Sequence, residues 1–263
     1  MTRIDGGGEA AAALRARLRH VCWIGGGSGA GKSTVARRIA ARYGLDVYST
    51  DDVMADHARR STREEAPYLG RFLDMTMDER WVDRSPETML ETFHWFRGEG
   101  FGLIVDDLTR RPAGTGVIAE GFRLLPSLVE PLLAGPGHAV WLLPTPEFRR
   151  AAFDRRGGGI PPRTGDPDRA RRNLLERDRM FTDRLAAEAK RLALPVIEVD
   201  PTVTEDELAG RVAQVFGLRT PPGAPGSPEI GSLHNFGRRG TSDDRESDPQ
   251  SRARPGGLDA GSV

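Results

Sequence analysis

An apolar run, Val21-Cys22-Trp23-Ile24, passes directly into Gly25-Gly26-Gly27-Ser28-Gly29-Ala30-Gly31-Lys32-Ser33-Thr34, and from there into a helical pattern. Few local sequences restrict a fold so tightly. From Gly26 to Ser33 the spacing is G-x-x-x-x-G-K-[ST], and its setting between a strand pattern and a helix pattern is what gives the match physical content. A loop of this kind wraps main-chain N–H groups around phosphate oxygens, and Cβ atoms would obstruct that approach or forbid the backbone angles it needs. A helix over 32–43 adds its positive N-terminal end. Gly27, Ser28, Gly29, Ala30, Gly31, Lys32, Ser33 and Thr34 are therefore the expected nucleotide-binding positions. Lys32 is expected at the β and γ phosphates, and Ser33 at Mg2+.

Composition supports an ammonium at that place. Positive charge is carried almost wholly by arginine, and the chain has two lysines, Lys32 and Lys190. A slim ammonium fits a phosphate cradle that a planar guanidinium would not. Lys+Arg and Asp+Glu both total 38, so no net field draws the chain toward nucleic acid or anionic lipid. Cys22 is the single cysteine; an internal disulfide and a cysteine-based zinc site are excluded. No signal peptide and no apolar stretch of spanning length is legible, so a cytoplasmic protein without membrane or nucleic-acid partners is expected.

The chain reads in three parts. Residues 1–19 are a loose N-terminal segment with one short helix from Glu9. Residues 20–217 form the domain, and residues 218–263, dense in Gly, Pro, Ser and charge, read as a disordered tail because they bury too little to offset ordering entropy. Within the domain, strand patterns at 21–25, 45–49, 117–121, 139–144 and 195–200 alternate with helical patterns at 32–43, 86–97, 125–133, 146–156, 168–192 and 205–216. Ser85-Pro86-Glu87 and Thr204 to Glu207 are helix starts, the second a capping box. The expected fold class is α/β: a three-layer α/β/α sandwich on a five-stranded parallel sheet, the P-loop NTPase fold. Ligands of such sheets bind beyond the carboxyl ends of the strands.

Several P-loop classes are excluded by what is missing. There is no N-K-x-D guanine-reading motif, no L-S-G-G-Q signature, and no second domain of the kind AAA+ machines carry. The order of "GGSGAGKST", "YSTDDVM", "VIAEGF", an Arg-rich segment and "IEVDPTVTEDELAGRVAQVFG" resembles the P-loop kinases of the nucleoside monophosphate kinase type over roughly residues 20–217. That group takes in adenylate, shikimate, gluconate and uridine kinases and the zeta-toxin and chloramphenicol phosphotransferase-like enzymes.

The resemblance implies roles residue by residue. An acid after the second strand faces the acceptor in that group, which singles out Asp51 and Asp52; the plain alternative is that they favour the first turn of a following helix. Glu120, closing Val117-Ile118-Ala119, is the expected acid that holds Mg2+, with Asp107 of Leu103-Ile104-Val105-Asp106-Asp107 as its rival. An Arg-rich lid is expected over 146–180, with Arg155, Arg156, Arg172 and Arg177 stabilising the transferred phosphoryl group. Surface salt-bridging is the alternative for each. Asp200 and Thr202, after the last strand, are placed at the adenine ring. The insertion 53–100 is expected to hold the acceptor, with Arg71, Arg80 and Arg84 available to an anionic group and His94 read as a core histidine among aromatics.

Together these readings describe an ATP- and Mg2+-dependent phosphotransferase, a kinase acting on a small hydroxyl- or phosphate-bearing acceptor. A nucleoside or nucleotide kinase and an ATP-binding regulatory protein with little turnover are the rival readings; the sequence leaves the oligomeric state open.

Overall fold

The computed structural model describes residues 6–112, 114–155 and 159–219. Five strands, β1 (Val21–Gly26), β2 (Asp46–Ser49), β3 (Val117–Glu120), β4 (Ala139–Pro144) and β5 (Val196–Val199), form one parallel sheet in the order β2-β3-β1-β4-β5. Register places Ile24 of β1 beside Glu120 of β3, and Glu120 beside Ser49 of β2. The carboxyl ends of the three strands that carry the glycine run, the candidate metal acid and the Asp51-Asp52 pair therefore meet at one edge. Every strand read from the sequence is present.

Alternation along the strands builds two cores. Val21 and Trp23 join Val117, Ala119, Ala139 and Trp141 on one face. Ile24 joins Ile118, Val140, Leu142 and Val199 on the other. The second face is covered by α2 (Lys32–Tyr43) and α11 (Glu205–Val215); the first by α1 (Gly6–Leu18) and α7 (Phe101–Thr109). A strand buried on both faces needs apolar residues at every position, which is how β1, β3 and β4 read. At the start of α11 the capping box is closed: Thr204 Oγ1 accepts from the Glu207 amide at 3.2 Å, and Glu207 accepts from the Thr204 amide at 2.9 Å. Ser85 caps its helix by accepting from the Thr88 amide at 3.2 Å.

Between β2 and β3 the chain adds α3 (Met54–Arg60), α4 (Pro67–Asp74), α5 (Met77–Trp81), α6 (Pro86–Thr92) and α7. The helix expected over 86–97 stops at Thr92 and resumes as a 3-10 turn over His94–Arg97. The one expected over 125–133 is reduced to α8 (Pro126–Val129) and a 3-10 turn over Glu130–Leu132, because Pro131 removes a helical donor. The stretch at 103–107 lies in α7, so Asp107 ends no strand. After β4 come α9 (Pro146–Arg155) and the 25-residue α10 (Pro167–Arg191). The N-terminal helix begins at Gly6 rather than Glu9. The expected tail lies outside the described residues beyond Arg219.

Helix α10 joins the sheet domain to the aromatic cluster of the insertion, and here one expectation is corrected. Arg177, expected on a lid surface, is fully buried. Its guanidinium lies 5.3 Å from the Trp81 ring and 5.2 Å from the rings of Phe93 and Phe96. It donates to Asp178 Oδ1 at 2.7 Å, and Arg149 of α9 donates to Asp178 Oδ2 through Nε at 2.9 Å. Position 177 lies on the inward face of α10, three residues from the buried Leu174 and four from the buried Phe181, so its charge is matched inside the protein.

Burial alone would raise the Asp178 carboxyl, but the charges of Arg177 and Arg149 outweigh it and hold it below the ordinary aspartate range. A depressed carboxyl contributes stability that is present above its unfolded-state pKa of about 4 and is lost as pH falls through the folded value. Asp178→Asn strands two buried guanidiniums, and urea unfolding at pH 7 is expected to show a loss of about 3 kcal/mol or more. The same variant is expected to lose less further stability than the parent between pH 5 and pH 2.

Candidate active site

The glycine run turns from β1 into α2 with a backbone that side chains would not permit. A Cβ on Gly26, where φ is 131°, would sit 2.0 Å from the Leu142 carbonyl of β4. Gly31, the residue that opens α2, has φ of 79°. The loop is thus fixed by sheet packing on one side and by a left-handed turn on the other. Lys32 is buried and its Nζ donates to the Gly27 carbonyl at 2.7 Å, spanning the cradle from its helical end to its strand end.

Two cavities share Gly29, Gly31 and Thr34 as a common wall. One, of 210 Å3, is lined by Ser28, Ala30, Lys32, Ser33, Asp51 and Phe122 among others. The other, of 440 Å3, runs toward Phe148, Arg155, Val199, Pro201, Thr202 and Leu208. The first is polar and lies over the helix N-terminus; the second has mixed walls at the end of β5 and the start of α11, with Phe148, Val199, Pro201 and Leu208 set among Thr202, Thr204, Glu205 and Arg155. A molecule with an anionic tail and a head that offers both apolar and polar edges fits that pair of spaces.

Asp51 and Asp52, which the sequence could not separate, face differently. Asp51 lines the phosphate-loop cavity. Its surroundings push its carboxyl up, while the charges of Lys32 and Arg123 and the Thr50 hydroxyl draw it back down. Asp52 is not among the residues lining that cavity; its amide donates to Ser49 Oγ at 3.4 Å and closes the turn into α3. Glu120 is buried at the end of β3, and among the described residues neither carboxylate oxygen completes a hydrogen bond. Burial raises its pKa, opposed by Lys32 and by the Ser33 and Ser49 hydroxyls, which lie near enough to favour the ionised form. An orphaned buried carboxylate beside Ser33 fits a divalent cation that also takes phosphate oxygens and water. Among the described residues no group of three or more His, Cys, Asp or Glu forms a cage for a metal. Asp107, the rival acid, instead binds Tyr48, His57 and Arg60.

Around the second cavity, Thr202 is a lining residue and Asp200 is not. Asp200 Oδ1 accepts from the Thr202 amide at 2.7 Å and from its hydroxyl at 2.5 Å, an Asx turn that shapes the loop after β5. The lid arginines separate likewise. Arg155 lines the second cavity and lies 6.0 Å from the Phe148 ring. Arg172 is exposed and lines a third space, of 370 Å3, between α9 and α10. Arg156 lies outside the described residues, and Arg177 is in the core as described above.

Sequence reasoning passed over Arg149, which the structure brings to the loop. Its Nη1 would lie 3.4 Å, and the Ala152 Cβ 3.3 Å, from a Cβ on Gly29. The available signal was helical spacing: Arg149 and Ala152, three apart, share the face of α9 turned to the loop. Arg123 was missed too, two residues beyond the glycine after Glu120; it is buried and bonded to the Thr50 carbonyl. His94 is a core residue as read, touching Phe72, Phe93 and Trp95, with its pKa pushed down to about 3 chiefly by burial. No described helix is long and apolar enough to cross a membrane.

Comparison with known proteins agrees with this geometry. A family model described as an AAA domain matches residues 25–120, from the glycine run to the candidate metal acid. An adenylate kinase of Anaeromyxobacter sp. (strain Fw109-5) is 27% identical over 217 residues, covering 75% of this chain and 92% of the relative. Among solved structures, a gluconokinase from Sinorhizobium meliloti 1021 aligns at 17% identity and a TM-score of 0.41, over 75% of this chain and 90% of its own. A sugar kinase from Janibacter sp. HTCC2649 aligns at 20% identity and a TM-score of 0.36, over 76% and 95%. With a phosphate loop at the mouth of a parallel sheet, and similarity to an adenylate kinase over 75% of its length, the chain resembles the P-loop kinases.

Proposed function

We propose that the protein transfers the γ-phosphoryl group of ATP, with Mg2+, to a small acceptor bearing a hydroxyl or phosphate group. The observation that carries this reading is that Asp51 and the phosphate loop line one cavity. A carboxylate facing the triphosphate site from the acceptor side is what phosphoryl transfer to a hydroxyl uses, and what simple nucleotide binding has no need of.

In this reading the amides of 27–34 and Lys32 hold the triphosphate, and the base lies along Thr202 and Phe148. Ser33 and Glu120 would hold Mg2+, which when bound would neutralise charge on the phosphate oxygens. Asp51, raised by its surroundings yet facing two cations, orients the acceptor hydroxyl and takes up its proton. Arg149, pressed against Gly29 and braced by Asp178, supplies positive charge to the group in transfer, with Arg155 and Arg172 nearer the rim. Arg156 of the same segment belongs to the proposed lid on sequence grounds alone. The insertion 53–100 forms the acceptor side, and the likeness to an adenylate kinase supports a small-molecule acceptor.

Incubation with γ-labelled ATP and a fractionated metabolite extract, followed by mass identification of whatever gains the label, is the direct test. A labelled small molecule is expected; slow ATP hydrolysis as the sole outcome defeats the proposal. Lys32→Ala is expected to lower kcat/KM at least about 100-fold with an unchanged circular dichroism spectrum. Asp51→Asn is expected to lower kcat about 100-fold or more while Asp52→Asn stays within about threefold of the parent; equal losses from the two would remove Asp51 from its assigned role.

A further inference from the structure

Arg123 has no task in the reading so far, and its surroundings are unusual. It follows Glu120-Gly121-Phe122, is buried, and stacks 4.0 Å over the Trp95 ring. Nη1 donates to the Thr50 carbonyl at 3.3 Å, and Nη2 reaches the Gly100 carbonyl at 3.2 Å and Nδ1 of His57 at 3.0 Å. Among the described residues none of its hydrogen bonds is to a carboxylate, and Nε has no partner. A guanidinium buried this way is costly unless its donors are held by good acceptors.

His57 supplies the acceptor, and its own state is fixed by what lies on its other side. Nε2 is 2.8 Å from Asp107 Oδ2. The same oxygen accepts from Tyr48 at 2.9 Å, and Asp107 Oδ1 accepts from Arg60 at 3.1 Å. Arginine has donors only, so Nδ1 of His57 must accept and the imidazole proton must sit on Nε2, pointing at Asp107. A carboxylate on Nε2–H makes Nδ1 a better acceptor and locks the ring. Four elements are tied by this chain of contacts: α7 through Asp107, α3 through His57, β2 through Tyr48 and the turn after it through Thr50.

We propose that Asp107, His57 and Arg123 form a positioning relay, in which Asp107 orients His57, His57 anchors Arg123, and Arg123 holds the Thr50 carbonyl so that the adjoining Asp51 faces the phosphate-loop cavity. The relay rests on the reading of Asp51 as the acceptor-facing acid, and its members are positioning residues rather than groups that touch the reacting atoms. It gives Asp107 a place in the site that differs from holding a metal, and it explains why a buried arginine is kept beside Asp51. Displacing an acid by about 1 Å costs up to about 100-fold in rate.

The experiment separates the two halves of His57. Gln at position 57 reaches the Nε2 end and keeps the Asp107 contact; Asn keeps an acceptor near Nδ1 for Arg123. His57→Gln is expected to lower kcat by about 10- to 100-fold with the KM for ATP unchanged, while His57→Asn recovers most of that loss. Two spectroscopic readings need no turnover: imidazole 15N shifts should report the Nε2–H tautomer in the parent, and the Thr50 13C carbonyl shift should move in His57→Gln and stay in His57→Asn. Equal kcat in the two variants, a Thr50 shift unmoved by His57→Gln, or an Nδ1–H tautomer overturns the relay. If His57→Gln does not fold, Arg123→Lys must show the same kcat loss and the same Thr50 shift. Should the parent protein transfer no phosphoryl group, the kinase reading fails on that result, while the 15N and 13C shifts still decide whether the relay exists.

Discussion

The backbone between Ile24 and Lys32 is the constraint on which the rest of the structure depends. It must turn from the centre of a sheet into a helix with few main-chain bonds to hold it, the Gly27 amide donating to the Leu142 carbonyl at 3.0 Å and the Ala30 amide to the Gly27 carbonyl at 3.4 Å. Packing holds it instead. Gly26 lies against the β4 backbone too closely for any Cβ, Gly31 opens α2 from the left-handed region, and Lys32 folds back on the Gly27 carbonyl. A β1 flanked by β3 and β4 is needed for this, because the neighbours that clamp the loop are also those whose ends carry Glu120 and Pro144. Sheet order and site are one arrangement.

A second theme is how the protein places buried charge with arginine as its general cation. Arg177 is matched by Asp178 and faces three aromatic rings; Arg149 shares that carboxylate and presses on Gly29. Arg123 instead meets two carbonyls and a neutral histidine, with Asp107 one ring further away. Guanidinium groups suit such sites because their planar forks stack on rings and satisfy several acceptors at once. The insertion is therefore joined to the phosphate site through charged groups as well as through apolar contacts, on one side by α10 and on the other by the relay.

Much of the fold was open to reading in the sequence, for reasons particular to each element. Strands buried on both faces show as apolar runs; Ser85 and Thr204 announce helix starts because a side-chain oxygen must meet an orphan amide. The P-loop was legible because its chemistry tolerates few residues. Arg177 was misplaced because an arginine in a charged helix reads as surface, and its burial is decided by Trp81, Phe93 and Phe96, some eighty or more residues earlier in the chain. Arg149, Arg123 and His57 were passed over because each gains its setting from contacts distant in sequence, and Asp51 could not be told from Asp52 because both are exposed acids of one turn and only the fold brings Asp51 to the phosphate-loop cavity.

What the sequence determined alone was the presence of a phosphate cradle, the α/β alternation around it, and the set of acids that end strands, since these follow from local sterics and periodicity. Only the tertiary structure decided which acid faces the cavity, which arginines lie beside the loop, and that Glu120 is buried without a hydrogen-bond partner among the described residues while Asp107 is fully engaged. The physical reason is that charge in a protein is placed by what surrounds it, and the surroundings of each of these groups are assembled from segments that meet only when the sheet is wound.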